Sequence, residues 1–245
     1  MPVLPFGYEK EYHLRFYDCD CNGNVKVSAV LRYLADLAEL HYDAKGYGHD
    51  LLWEKEMVFL LAGESLRFHR RPRGDERLTF TTWERQIKGP RYFRDFELYD
   101  AKGELVISAS TTWLLANPVT RQILRPSTYD FKPDLHPERT PSVLPVGKFS
   151  KEIEQTFLTE RLIRFTDLDN NRHVYNAVYA DMAFDALPFE EAAGELRDFR
   201  INFSSEAKAG DVLSLFKGSG EEGETVVQGI KEDGTLCFEC ELRKR

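Results

Sequence analysis

The amino-acid sequence is written twice. Arg15-Phe16-Tyr17-Asp18-Cys19-Asp20-Cys21-Asn22-Gly23-Asn24-Val25 and Arg164-Phe165-Thr166-Asp167-Leu168-Asp169-Asn170-Asn171-Arg172-His173-Val174 both read R-F-x-D-x-D-x-N-x-x-V. Ala29-Val30 and Ala177-Val178 follow with one residue of slippage. Further on, Arg73-Gly74-Asp75 and Ala209-Gly210-Asp211 each precede an apolar stretch, and Gly103-Glu104-Leu105 is echoed by Gly234-Thr235-Leu236. Such self-similarity constrains the chain to two fused copies of one supersecondary plan.

The plan is legible in outline. Tyr12–Tyr17 reads as a short strand and Ser28 as a helix N-cap. Val30, Leu34, Leu37 and His41 then recur at helical spacing, and Gly46 and Gly48 can end that helix. Strands follow over Met57–Arg71, Glu76–Gln86, Tyr92–Tyr99 and Leu105–Ala116, separated by Pro- and Gly-bearing turns. In the second half a strand is expected near Glu154–Phe165. A shorter helix then places Tyr179, Met182, Ala183 and Ala186 on one face and stops at Pro188. Strands are expected near Leu196–Glu206, Val212–Lys217, Thr225–Lys231 and Leu236–Leu242. Each unit is thus a helix wrapped by a curved antiparallel sheet, an α+β plan, and two units can pair sheet edges to remove exposed strands. Six of the eleven prolines fall between the halves, so residues 118–150 read as an extended linker joining units 1–117 and 151–245.

Composition excludes several function classes. The 245 residues are 42% apolar and 13% aromatic, enough for a core. No apolar run is long enough to span a membrane, and Met1–Lys10 has no signal-peptide pattern, so a cytoplasmic location is expected. The net charge of −8 argues against a nucleic-acid binder. Cys19, Cys21, Cys237 and Cys240 read as reduced thiols whose spacing does not suit zinc; neither metal nor cofactor is expected. One basic run, Arg67 to Arg73, is either a solvated sheet face or a dock for an acidic partner, with Arg67, Arg70, Arg71 and Arg73 as the docking residues.

The densest chemistry lies in Asp167-Leu168-Asp169-Asn170-Asn171-Arg172-His173-Val174-Tyr175-Asn176. Turn-building and capping alone would explain its Asp and Asn residues. The repeat separates the two readings. Asp18, Asp20 and Asn22 keep the loop chemistry in the first half, but Asn24 stands where the second half has His173. An imidazole suited to proton transfer and present in one copy only points to catalysis. Counting back from the Gly-Asp pairs also matches Glu206 with Arg70, so a strand-end carboxylate is likewise unique to the second half. No G-x-S-x-G elbow, phosphate loop or dinucleotide fingerprint is present. His13, His41, His49, His69 and His136 lack such neighbours.

These residues resemble the acyl-acyl-carrier-protein thioesterase family in its bacterial form. The likeness covers most of the chain. Its most specific piece is Asp169-x-Asn171-x-His173-Val174-x-Asn176, similar to the family's D-x-N-x-H-V-N-N segment. The Thr82-Trp83 and Thr112-Trp113 strand positions and the linker agree. The resemblance implies a tandem (double) hotdog fold and hydrolysis of fatty acyl-acyl-carrier protein to free fatty acid, with acyl carrier protein as partner. It also implies catalytic roles for Asp169, Asn171, His173 and Glu206. Ala207 stands where plant members carry a cysteine, so no cysteine nucleophile is expected. Tyr175 replaces a common asparagine. Substrate contacts are expected from Asn176 and Tyr175, and from Leu34, Leu37, Phe59 and Leu61 in the first unit. Rival readings are a hotdog acyl-CoA thioesterase, a hotdog dehydratase, or a non-enzymatic acyl-binding or regulatory module. The sequence leaves open chain-length preference and oligomeric state, a homodimer included.

Overall fold

The computed structural model describes residues 6–126, 133–148, 154–220 and 222–245. Residues 127–132 and 149–150 of the expected linker lie outside the described residues. The first unit comprises β1 (Tyr8–His13), α1 (Val27–Ala44), α2 (His49–Glu54), β2 (Val58–Phe68), β3 (Arg77–Lys88), β4 (Arg91–Tyr99) and β5 (Leu105–Ala116). The second comprises β6 (Thr156–Leu162), α3 (Asn176–Ala186), α4 (Phe189–Ala192), β7 (Leu196–Phe203), β8 (Val212–Ser219), β9 (Thr225–Lys231) and β10 (Leu236–Lys244). The strands form one antiparallel sheet in the order β1-β3-β4-β5-β2-β7-β10-β9-β8-β6. It wraps α1 and α3, which lie side by side and are tied at the surface by Arg32 and Asp181 at 3.3 Å. This is the α+β plan expected from the repeat, and the double hotdog that the family resemblance implies.

The edge-to-edge join is β2 against β7. Gly63 pairs with Asn202 and Arg67 with Asp198. A displacement of 135 residues carries Gly63 to Asp198 and Arg67 to Asn202, so the pairing maps onto itself and Ser65 opposite Arg200 lies on a local two-fold axis. The loops before the helices are related instead by 149 residues, as Asp20 and Asp169 show. The second unit is therefore shorter between loop and sheet, and α3 has 11 residues against 18 in α1.

Two local expectations are corrected. The first strand is Tyr8–His13, and Phe16–Asp18 is a 3-10 turn. The N-cap of α1 is Lys26, whose N–H donates to the Asp18 carbonyl at 2.9 Å, while Ser28 is buried inside the helix. That loop contact starts the helix two residues earlier than side-chain capping by Ser28 would.

The described linker crosses the sheet face opposite the helices. Trp83 Nε1 donates to the Arg139 carbonyl at 3.2 Å, Arg67 to Ser142 Oγ at 3.1 Å and Arg200 to the Pro145 carbonyl at 3.3 Å. At the seam a Cβ on Gly63 would lie 2.9 Å from the Ile201 carbonyl and 3.0 Å from Val146, so only glycine lets linker and β7 approach this closely.

Candidate active site

The two loops before the helices share one hydrogen-bond pattern. In the first, Asp20 Oδ1 accepts from the Asn22 and Asn24 amides at 2.9 and 3.0 Å. In the second, Asp169 Oδ1 accepts from the Asn171 and His173 amides at 2.8 and 3.2 Å. Gly23 has φ +76°, and its counterpart Arg172 keeps the left-handed turn at φ 64°. One oxygen of the Asp169 carboxylate, like that of Asp20, is thus engaged by the backbone of its own loop and shapes the turn that carries His173.

His173 and Glu206 come together. Nε2 of His173 lies 3.2 Å from Oε2 of Glu206, and the His173 side chain is 15% exposed against 43% for Glu206. Glu206 lies in the loop after β7 and is held through Ala207. The Ala207 amide donates to Tyr179 Oη at 3.0 Å, and its carbonyl accepts from the Val174 amide at 3.0 Å. The helix and the loop of the second unit therefore both fix this carboxylate.

The structure shifts the repeat match at this loop. Val25 donates to the Pro72 carbonyl and Val174 to that of Ala207, while Leu14 donates to Glu76 and Ile163 to Asp211. The counterpart of Glu206 is thus Arg71, one residue from the Arg70 obtained by aligning the Gly-Asp pairs. The Glu206 carboxylate is still unique to the second unit.

A third group closes the cluster. Arg121 donates through Nη2 to Glu206 Oε2 at 3.0 Å and lies 3.4 Å from His173 Nε2. It comes from the turn after β5, where Asn117 Oδ1 accepts from the Val119 and Thr120 amides at 2.9 and 2.8 Å and Arg121 takes φ 60°. Sequence reasoning missed Arg121 because no local pattern marks it. Tyr179 was missed as well, because the Ala-Val match sets Val178 against Val30, whereas the 149-residue offset between the helix N-caps Lys26 and Tyr175 sets Tyr179 there.

Two adjoining cavities meet here. The outer, of about 440 Å³, is lined by Asp169, His173, Glu206, Arg121 and Tyr179. The inner, of about 320 Å³, runs into the first unit between α1 and the sheet. They share Phe59, Leu61, Trp113, Asn171 and Asn176, and Tyr175 faces the inner one. Asn176 opens α3, whose first N–H groups have no partner within the helix and offer donors at the junction. Phe59 and Leu61 therefore lie where substrate contacts were expected.

Leu34 and Leu37 do not. They are 1% and 0% exposed within the core, and the cavity wall of α1 is instead Leu31, Ala35, Ala38 and Tyr42, the neighbouring helical stripe. Nor do the four arginines form a free dock. Arg67 pairs with buried Asp198 at 2.6 Å, and Arg70 with Glu76 and Asp100 at 2.7 and 3.2 Å. Arg71 donates to the Val25 carbonyl at 2.8 Å and Arg73 to that of Asn22 at 3.0 Å. These guanidinium groups hold the two units and the first loop together.

Comparison with known proteins places the chain in a family. The acyl-ACP thioesterase N-terminal domain matches residues 5–128, and the acyl-ACP thioesterase C-terminal domain matches residues 150–235. The chain belongs to the acyl-ACP thioesterase family. This thioesterase-family chain is 21% identical over 213 residues to a chloroplastic palmitoyl-acyl carrier protein thioesterase of Cuphea hookeriana, covering 78% of the chain and 51% of that relative. It is 21% identical over 240 residues to the chloroplastic oleoyl-acyl carrier protein thioesterase 2 of Arabidopsis thaliana, covering 90% and 65%. The chain thus spans about half to two thirds of the length of these relatives. Its fold matches an acyl-ACP thioesterase of Bacteroides thetaiotaomicron at TM-score 0.81, with 20% identity and 97% of each chain covered. It also matches the 12:0-ACP thioesterase of Umbellularia californica at TM-score 0.78, with 15% identity, over 100% of this chain and 99% of that one. Among the described residues of this family member, no helix is long and apolar enough to cross a membrane.

Proposed function

We propose that this protein hydrolyses the thioester of fatty acyl-acyl-carrier protein, with water as the nucleophile. The observation that carries the reading is the His173–Glu206 contact at the mouth of an apolar cavity. In this reading the acyl chain enters the inner cavity of the first unit (residues 1–117), and residues 151–245 supply the chemistry. Residues 118–150 connect the units and contribute Arg121. Glu206 and Asn171 hold a water against the thioester carbonyl. As the water oxygen bonds to the carbonyl carbon, its proton passes to the Glu206–His173 pair. The oxyanion faces the first turn of α3, where free N–H groups and the helix dipole favour negative charge. Collapse breaks the C–S bond, and the pair returns the proton to the departing thiolate, leaving a free acid and a thiol. Arg121 orients Glu206 and balances its charge, while Asp169 sets the loop that carries Asn171 and His173.

The test is fatty-acid release from acyl-carrier-protein thioesters of graded chain length, beside matched acyl-CoA. His173→Ala and Glu206→Ala should each lower kcat by about 10²- to 10⁴-fold, the usual worth of positioned proton transfer. Turnover that persists in both variants sinks the mechanism. Preference for CoA keeps the chemistry and changes the partner. Wild-type protein that binds acyl chains without turnover would be a binding module.

A further inference from the structure

Four strands contribute one lateral row of side chains to the face beneath α1. Glu84 on β3 is opposite Arg94 on β4, Arg94 is opposite Thr111 on β5, and Thr111 is opposite Glu64 on β2. Glu84, Arg94 and Glu64 all line the inner cavity, beside apolar groups such as Leu31, Ala38, Leu52 and Trp113. A cavity built only for hydrocarbon needs none of these three.

Most of the row is internally satisfied. Glu84 binds Lys45 and accepts from Tyr42 Oη at 2.8 Å. Arg94 Nη1 donates to His41 Nδ1 at 2.8 Å and to Thr82 Oγ1 at 3.2 Å. Thr111 Oγ1 donates to the Arg94 carbonyl at 3.1 Å and accepts from Trp113 Nε1 at 2.8 Å, so its hydroxyl is spent.

Glu64 is the exception. It is 2% exposed, and its Oε2 has no hydrogen-bond partner among the described residues. Its cross-strand neighbours are the committed Thr111 and the apolar Ile201. Arg94 stands two strands away and is directed to His41, Thr82 and Glu84 instead. Its Nη2 lies 3.9 Å from Oε1 of Glu84. Burial raises the Glu64 carboxyl to about 8, so near neutral pH it is largely a protonated acid, able to donate through O–H and accept at C=O. A hydrocarbon chain filling the cavity would displace any water from Glu64 and leave its Oε2 unpaired, at the desolvation cost of a buried polar group. An occupant carrying its own oxygen would satisfy it.

We infer that Glu64 makes the acyl cavity selective for chains bearing a hydroxyl or keto oxygen over plain hydrocarbon chains of the same length. The inference rests on the inner cavity being the acyl site proposed above, but binding tests it separately from turnover. Affinities of the full-length wild-type protein would be measured by calorimetry for free saturated acids and for hydroxy and keto acids of matched length, the oxygen placed at several positions. The favoured oxygenated acid should bind roughly tenfold more tightly than its saturated match, the worth of one buried hydrogen bond with its desolvation penalty. In Glu64→Leu that preference should collapse toward onefold, and in Glu64→Gln, which still donates and accepts, much of it should return. Equal binding of both acids by the wild type overturns the inference even if acyl-carrier-protein thioesters are hydrolysed. A preference unchanged in Glu64→Leu overturns it as well. A Glu64-dependent preference without thioester turnover would instead refute the hydrolase reading alone.

Discussion

At the scale of single residues, the repeat acts as an internal control. Asp20 and Asp169 make the same two backbone hydrogen bonds, yet only the second loop carries an imidazole. A positioning role for Asp169 makes a sharp prediction. Asp169→Asn keeps a side-chain oxygen that accepts from the same amides, so it should retain most activity. Asp169→Ala should lose the turn, much of the activity and about 1 kcal/mol of stability, the usual worth of such a cap. Parallel kcat and urea-unfolding measurements decide it; equal loss in both variants would mean that the charge itself takes part. Glu64 carries a second prediction. Its carboxyl is raised from 4.5 to about 8. Between those values the folded chain holds a proton that the unfolded chain has released. Stability should therefore fall as pH rises through that window, by up to about 1.4 kcal/mol per pH unit from this group. Glu64→Gln cannot titrate and should show a shallower decline in urea unfolding at stepped pH. Curves of the same slope would show that Glu64 is ionised when folded.

At the scale of elements, the linker and the seam do work that no single unit does. The turn built on Asn117 brings Arg121 onto Glu206. Arg121→Ala should lower kcat/KM by about tenfold through loss of one charge-assisted contact. Asn117→Ala should lower it in the same direction although it touches no reacting atom, which steady-state kinetics of both variants would show. Across the seam, Arg67 from β2 grips Asp198 of β7, whose side chain is 0% exposed. Arg67→Ala would leave Asp198 with only the half-exposed Arg197 beside it, at 2.9 Å. It should cost about 3 kcal/mol in unfolding experiments, because a buried charge loses its main partner. A dock for acyl carrier protein would instead raise KM for that substrate and leave stability unchanged.

At the scale of the whole molecule, the two units differ in how they fill the space beneath the helix. The first keeps a cavity beneath a long helix. The second fills the corresponding interior with aromatic rings, Tyr179 packing on Phe203 and Phe238 at centroid distances of 5.8 and 5.0 Å. The Phe238 ring occupies the space where Gly229 has no side chain: a Cβ there would lie 2.2 Å from it. Gly229→Ala should destabilise the protein by about 1–3 kcal/mol through overpacking, visible as a lowered Tm. The cavity of the first unit and the His173–Glu206 pair of the second meet because β2 and β7 join the two units into one sheet.

The sequence by itself determined the duplication, the α+β plan of each half, and the loop that carries Asn171 and His173. These are local properties, set by residue order, hydrophobic period and turn chemistry, and the repeat made them readable without a second protein. Thr225–Lys231 was read to the residue, and Glu206 was found by its asymmetry, although its true counterpart is Arg71. What only the tertiary structure decided is relational. It turned Leu31, Ala35 and Ala38 toward the cavity and Leu34 and Leu37 into the core, a rotation of one helical stripe that periodicity alone does not specify. It committed Arg67, Arg70, Arg71 and Arg73 to internal partners and brought Arg121, from the turn after β5, to Glu206 and His173 of the second unit. It also left Oε2 of Glu64 buried without a hydrogen-bond partner among the described residues. Each of these depends on which atoms from distant parts of the chain come to share a space, and that is settled by packing rather than by residue order.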